Sequence, residues 1–130
     1  MAKILVADDE PMIRDLLQQI LTRHHHEVVV AGDGREAMDL FRRHRPDVTL
    51  VDLHMPVMNG LEVLRQIRAM DPVCAVIIVS GEDGADGPEV QARQLGVTDF
   101  VRKGFSLDNL IAATNMAAKQ PRLLPEAPTF

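Results

Sequence analysis

Short apolar runs alternate along the chain with longer segments in which apolar residues recur every three or four positions. The runs are rich in β-branched residues and too short for free-standing helices, so they predict five buried strands at residues 3–7, 27–31, 48–51, 73–79 and 98–102. The segments between them predict five helices. The first begins near Pro11 and carries its apolar residues on one buried face: Ile13, Leu16, Leu17, Ile20 and Leu21. The others cover residues 35–44, 61–69, 88–95 and 106–119. Regular alternation of this kind is typical of a parallel sheet with right-handed crossovers.

We therefore predict an α/β fold, a flavodoxin-like (βα)5 domain whose parallel five-stranded sheet has the order 2-1-3-4-5 with helices on both faces. The first and third strands are neighbours in this order, and open α/β sheets bind ligands outside the carboxyl ends of such strands. We expect the domain to span residues 1–119. Residues 120–130 contain three prolines and are expected to form a short tail with no output domain, with the start of a linker as the equal alternative.

Chemically useful side chains follow four of the five predicted strands. Asp8 and Asp9 follow the first strand, Asp52 the third, Ser80 the fourth and Lys103 the fifth. Each residue alone has an ordinary explanation, namely a capping acid, a loop serine or a solvated lysine. Because the carboxyl ends of parallel strands meet at one edge, their joint placement predicts a single site instead.

The chemistry of that site follows from its charges. Three neighbouring carboxylates repel one another unless a cation lies between them, and all-oxygen ligands with room for water fit Mg²⁺. Asp52 is then a plausible nucleophile that accepts a phosphoryl group as an acyl phosphate. Mg²⁺ and the Lys103 ammonium would neutralise the transferring group, and the Ser80 hydroxyl would donate to one of its oxygens.

Composition excludes several other classes of function. The chain has 130 residues, a formal net charge of -5, no Trp or Tyr, and no run of Lys or Arg, so direct binding to nucleic acid is not expected. We see no signal peptide and no apolar stretch of bilayer length, and Cys74 has no second cysteine to pair with, so we expect a cytoplasmic protein without membrane insertion. The run 24–26 of three histidines reads as a polar helix end, with a metal site as the alternative.

In these features the chain resembles the receiver domain of bacterial two-component response regulators over residues 2–118. The resemblance is carried together by the acidic pair after the first strand, by Asp52 with the following Met-Pro and Gly, by Ser80-Gly81, and by Phe100 three positions before Lys103. A receiver is a phosphorylation-switched signalling domain, so the resemblance implies no enzymatic activity beyond the domain's own phosphotransfer and dephosphorylation.

The resemblance also implies partners and residue roles. A histidine kinase or phosphotransfer protein would phosphorylate Asp52, and Asp9, Asp52 and the backbone carbonyl of His54 would ligate Mg²⁺ with Asp8 in support. Ser80 and Phe100 would report phosphorylation. We expect the downstream target protein to bind the face made by the fourth helix, fifth strand and fifth helix.

Two features depart from the family pattern, namely the residue after Lys103 and the loop 80–88. Members usually carry a proline in a cis peptide after the lysine, whereas Gly104 follows Lys103 here, and a non-proline cis bond costs about 2.5–4 kcal/mol. We therefore expect either a trans bond or a strained cis bond at this point. The loop 80–88 is also unusually rich in Gly and acidic residues. We interpret His54 as an exposed loop residue, with an influence on the access of water to the phosphoryl group as the alternative.

Three alternatives belong to other classes of protein. A pseudo-receiver would keep the fold without using phosphate, but the acids, Ser80 and Lys103 are all present. A Mg²⁺-dependent aspartyl phosphatase of the haloacid dehalogenase kind would need a second acid close after the nucleophile, where His54 stands. A nucleotide or flavin binder would have a Gly-rich first strand-helix turn, whereas this turn is acidic.

Overall fold

A computed structural model of the chain describes residues 2–81, 86–102 and 107–119. Lys103 and the peptide that follows it, the start of the last predicted helix, most of the Gly-rich loop and the tail lie outside the described residues. The elements are β1 (Lys3–Ala7), α1 (Pro11–Arg23), β2 (Glu27–Ala31), α2 (Gly34–His44), β3 (Val48–Asp52), α3 (Gly60–Met70), β4 (Ala75–Ser80), α4 (Asp86–Gln94), β5 (Asp99–Arg102) and α5 (Leu107–Lys119).

The five strands form one parallel sheet in the order β2-β1-β3-β4-β5, so the predicted fold class is confirmed. In the β1–β3 pair Ala7 lies opposite Val51, which brings the residues that follow, Asp8 and Asp52, to the same edge. In the β4–β5 pair Ser80 lies opposite Arg102. None of the helices within the described ranges is long and apolar enough to cross a membrane.

Each face of the sheet has its own apolar core, because successive strand residues point to opposite sides. One core packs strand residues such as Leu5 and Val51 against helices α2, α3 and α4. The other packs residues such as Ile4 and Leu50 against α1 and α5. This two-sided burial explains why the strands are nearly continuous apolar runs.

Three local expectations were wrong. Strand β4 begins at Ala75, two residues later than predicted, because Asp71 Oδ1 accepts hydrogen bonds from the N–H groups of Val73 and Cys74 at 2.9 and 3.0 Å and holds them in a turn. Helix α4 begins at Asp86, ahead of the proline taken as its start. Leu16, predicted on the buried face of α1, is 41% exposed, since the buried stripe is centred on its neighbours Leu17 and Leu21.

A polar side chain lies inside the central strand. Thr49 of β3 is completely buried, between Leu5 of β1 and Val76 of β4, and its hydroxyl has no hydrogen-bond partner within the described residues. A buried hydroxyl without a partner loses its hydration and gains nothing in return. The strand therefore carries a local destabilising group at the centre of the sheet.

We expect Thr49→Val to raise the free energy of unfolding by about 1 kcal/mol, because valine keeps the shape and removes the unpaired hydroxyl. Thr114→Val is the matched control. The Thr114 hydroxyl is equally buried but donates to the carbonyl of Leu110 at 2.8 Å, so this substitution removes a hydrogen bond instead of an unpaired group. Urea unfolding followed by circular dichroism measures both variants. A Thr49→Val protein less stable than wild type would contradict this account.

Candidate functional site

Three carboxylates meet at the carboxyl edge of the sheet. Ligand oxygens of Asp8, Glu10 and Asp52 all lie within 4.8 Å of one another. Asp8 directly follows β1 and is 3% exposed, Asp52 is the last residue of β3 and is 5% exposed, and Glu10 is exposed. The pairing of β1 with β3 thus places two buried acids beside each other, with a third at the surface.

Backbone N–H groups hold the two buried carboxylates in place. Asp8 Oδ1 accepts from the N–H of Glu10 at 2.9 Å, and Asp52 Oδ1 accepts from the N–H of His54 at 3.3 Å. In both cases the donor lies two residues further on, the pattern of an Asx turn. Each acid therefore shapes the loop that follows its own strand.

The loop between β3 and α3 packs against the backbone of Asp52. A Cβ at Gly60 would lie 2.6 Å from the Asp52 carbonyl oxygen, so this position requires glycine. The N–H of Gly60 donates to the Leu53 carbonyl at 2.8 Å and closes the loop. At the tip, Met58 N–H donates to the Pro56 carbonyl at 2.7 Å across Val57, whose φ of 72° is strained for a β-branched residue.

The other candidate residues on β4 and β5 occupy buried positions. Ser80 is fully buried at the end of β4, one residue beyond Val79, which lies opposite Asp52. Phe100 is 8% exposed and belongs to the core cluster on the α2, α3 and α4 side of the sheet. His54 is exposed. Lys103 lies outside the described residues, so its role stays a prediction.

The acids after β1 are not arranged as their order in the sequence suggests. Asp9 is exposed and does not belong to the carboxylate cluster, whereas Glu10, which was not among the candidate ligands, does. Glu10 has extended backbone angles, φ -93° and ψ 111°. The chain bends at Asp9, and the Glu10 N–H bonds to Asp8 Oδ1 across that bend, so the turn brings Glu10 beside Asp8.

The donor set fits a hard divalent cation. All three side chains offer carboxylate oxygens, which are the ligands that Mg²⁺ and Ca²⁺ prefer. The two buried carboxylates repel each other, and a cation between them would convert that repulsion into attraction. The cluster therefore has the chemistry of a metal site.

Two of the three histidines at the end of α1, His24 and His26, form hydrogen bonds that connect this end of the helix to α5. The N–H of Ala2 donates to His26 Nδ1 at 3.3 Å, so in the neutral ring the proton is on Nε2, which donates to Asn115 Oδ1 at 2.9 Å. The Asn115 amide nitrogen then donates to His24 Nδ1 at 3.2 Å. This chain of hydrogen bonds connects the α1–β2 turn to α5. It uses both ring nitrogens of His26, so neither is available to a metal in this arrangement.

Comparison with known proteins gives a consistent result. A family model described as "Response regulator receiver domain" matches residues 4–115. Response regulator MprA of Mycolicibacterium vanbaalenii is 35% identical over 124 residues, 95% of this chain and 52% of MprA, so the chain spans about half of that relative. Chemotaxis protein CheY of Listeria monocytogenes is 38% identical over 120 residues, 92% of this chain and 100% of that protein.

Solved structures agree with the sequence comparisons. The crystal structure of a response regulator receiver domain protein from Clostridium thermocellum has a TM-score of 0.84 to this chain and 32% sequence identity. The match covers 91% of this chain and 94% of that one. The similarity therefore extends over the whole sheet and its helices.

We expect Gly60→Ala to lower the free energy of unfolding by about 1–3 kcal/mol, because the added methyl group overlaps the Asp52 carbonyl and forces the backbone to move. Gly87→Ala, on α4, is the matched control, since a Cβ there meets nothing within 4 Å. That control should be as stable as wild type or more so. Urea unfolding gives the stabilities, and equal values for the two variants would contradict the close packing around Asp52.

Proposed function

The chain belongs to the response regulator receiver domain family, and we propose that it takes a phosphoryl group onto Asp52 from a histidine kinase or a phosphotransfer protein. The observation that supports this most directly is the position of Asp52, a buried carboxylate within a cluster of oxygen donors at the β1–β3 edge. Phosphorylation would then switch a protein-binding face. The domain would have no catalytic activity beyond its own phosphotransfer and dephosphorylation.

The transfer itself requires little from the protein beyond position and charge. A carboxylate oxygen of Asp52 forms a bond to phosphorus, the bond from phosphorus to the donor imidazole nitrogen breaks, and the imidazole takes up a proton. The product is an acyl phosphate on Asp52. The His54 N–H, already bonded to Oδ1 of Asp52, orients the nucleophilic carboxylate.

We assign the metal ligands by combining the family pattern with the charges at the edge of the sheet. By the family pattern Asp9, Asp52 and the backbone carbonyl of His54 would hold Mg²⁺, with Asp8 in support. Asp9 would have to turn toward the edge of the sheet, because it lies outside the carboxylate cluster, in which Glu10 stands beside Asp8. When bound, Mg²⁺ neutralises charge on the phosphoryl group. The Ser80 hydroxyl and the Lys103 ammonium would bind phosphoryl oxygens from the two neighbouring strands.

The output face would comprise α4, β5 and α5. Arg102 lies opposite Ser80 in the sheet, and its guanidinium donates to Glu89 of α4 at 3.2 Å. Hydrogen bonds from Arg93 and then from Arg102 lower the pKa of the Glu89 carboxyl. Glu89 therefore remains ionised and links α4 to β5 beside Ser80.

The switch would act through Ser80 and Phe100. Movement of Ser80 toward a phosphoryl group would vacate space into which the Phe100 ring turns, so that a local charge event biases a two-state element. A downstream target protein would recognise the altered face.

Intact-mass measurement after incubation with a small acyl phosphate and Mg²⁺ tests the phosphorylation site. We expect wild type and Asp39→Asn to gain the mass of one phosphoryl group, and Asp52→Asn to gain none. Asp39 is a suitable control because it is an exposed acid on α2. Removal of Mg²⁺ with a chelator should abolish the adduct in wild type.

Two results would contradict the proposal. An adduct on Asp52→Asn would place the phosphoryl group on another residue. No adduct on wild type in the presence of Mg²⁺ would instead favour a pseudo-receiver that acts only through protein contacts.

A further inference from the structure

A basic residue of α1 is bonded to the acidic loop that follows β1. Arg14 is half-buried, and its Nη1 donates to the backbone carbonyl of Asp8 at 2.9 Å. The backbone N–H of Arg14 also donates to the carbonyl of Glu10 at 3.0 Å. One residue of the helix thus contacts the loop on both sides of Asp9.

These bonds determine how the chain leaves β1. The N–H of Asp8 donates to the Ala31 carbonyl at 3.1 Å, while its C=O accepts from Arg14, so both of its peptide groups are fixed. Because a peptide group is planar, the bond at the Asp8 carbonyl also sets the orientation of the Asp9 N–H. The Arg14 guanidinium therefore helps to fix the peptide group from which the acidic segment continues.

The loop between β2 and α2 leaves space for the Arg14 guanidinium at Gly32. A Cβ at Gly32 would lie only 2.9 Å from Arg14 Nη1. The same Cβ would lie 3.7 Å from Oε1 of Glu36, which accepts from the Gly32 N–H at 2.7 Å. Gly32 has no side chain that would clash with the guanidinium, and the nearby Glu36 carboxylate carries the opposite charge. This point of the loop therefore suits a positively charged group.

We propose that Arg14 is a positioning residue of the metal site, which holds the β1–α1 loop so that its carboxylates and Asp52 bind one cation together. This inference rests on the proposed Mg²⁺-dependent function. Arg14 does not touch the metal in this proposal. It acts through the Asp8 peptide, much as outer groups orient the ligands of other metal sites.

Charge and position make opposite predictions for Arg14. As a cation near a cation site, Arg14 repels Mg²⁺, so by charge alone its removal would strengthen Mg²⁺ binding. If its hydrogen bond orients the ligands, removal weakens Mg²⁺ binding. The sign of the change therefore separates the two roles.

The experiment measures Mg²⁺ affinity from backbone amide chemical shifts, without any phosphoryl donor. We expect Arg14→Gln to weaken Mg²⁺ binding about 10-fold or more, as for outer-shell partners of other metal sites. Arg14→Lys should fall between Arg14→Gln and wild type, since an ammonium can still donate to the carbonyl. Arg23→Gln, which removes an exposed charge from the last turn of the same helix, should match wild type.

Gly32→Ala provides an independent test that leaves the sequence of α1 unchanged. The added methyl group would lie 2.9 Å from Arg14 Nη1 and displace the tip of this flexible side chain, so the variant should weaken Mg²⁺ binding in the same direction as Arg14→Gln but by less. Combining the two substitutions should weaken binding no further than the stronger single change, because both remove the same interaction.

Equal or tighter Mg²⁺ binding by Arg14→Gln, or tighter binding by Gly32→Ala, would overturn the assignment while leaving the proposed function intact. If wild type itself bound no Mg²⁺, the proposed function would fail, and the positioning role with it. If Arg14→Gln does not fold, Arg14→Lys and Gly32→Ala decide the question by the same measurement.

Discussion

The repulsion between the carboxylates of Asp8 and Asp52 is the constraint on which the rest of the site depends. Parallel pairing of β1 with β3 brings both acids to one edge, and the packing of helices on both faces buries them to 3% and 5% exposure. Buried like charges destabilise a fold unless hydrogen bonds or a cation compensate them. Two backbone N–H donors supply part of that compensation, and a bound cation would add to it.

The surrounding loops are shaped by the same requirement. Gly60 lets the β3–α3 loop pack against the Asp52 carbonyl, and Gly32 leaves room for Arg14 to bond the Asp8 carbonyl. Strain is concentrated nearby at Val57, where the loop turns. Such a site is built to hold its carboxylates in one arrangement, which suits electrostatic chemistry because the groups need not reorganise during the reaction.

The sequence was sufficient to predict the strands and the fold class of the sheet, but it was not sufficient to predict the backbone turns and contacts of the loops. Apolar runs identify the buried strands, and the order 2-1-3-4-5, one of the common orders of doubly wound sheets, places the end of the first strand beside that of the third, so the meeting of Asp8 with Asp52 was predictable once that order was chosen. The late start of β4 and the place of Glu10 in the cluster depend on individual backbone angles and Asx turns. The contacts of Arg14 with Asp8 and of His26 with Asn115 join separate elements, and no local pattern encodes them.

The most direct test of this account compares the unfolding free energy of wild type and Asp8→Asn, with and without Mg²⁺. Asparagine keeps an oxygen that can accept from the Glu10 N–H and replaces the other carboxylate oxygen by an uncharged NH₂ group. We expect Asp8→Asn to be the more stable protein without metal, and Mg²⁺ to stabilise wild type far more than the variant, since binding to the folded state alone adds to stability. An Asp8→Asn protein that is less stable without metal and gains equally from Mg²⁺ would contradict the account.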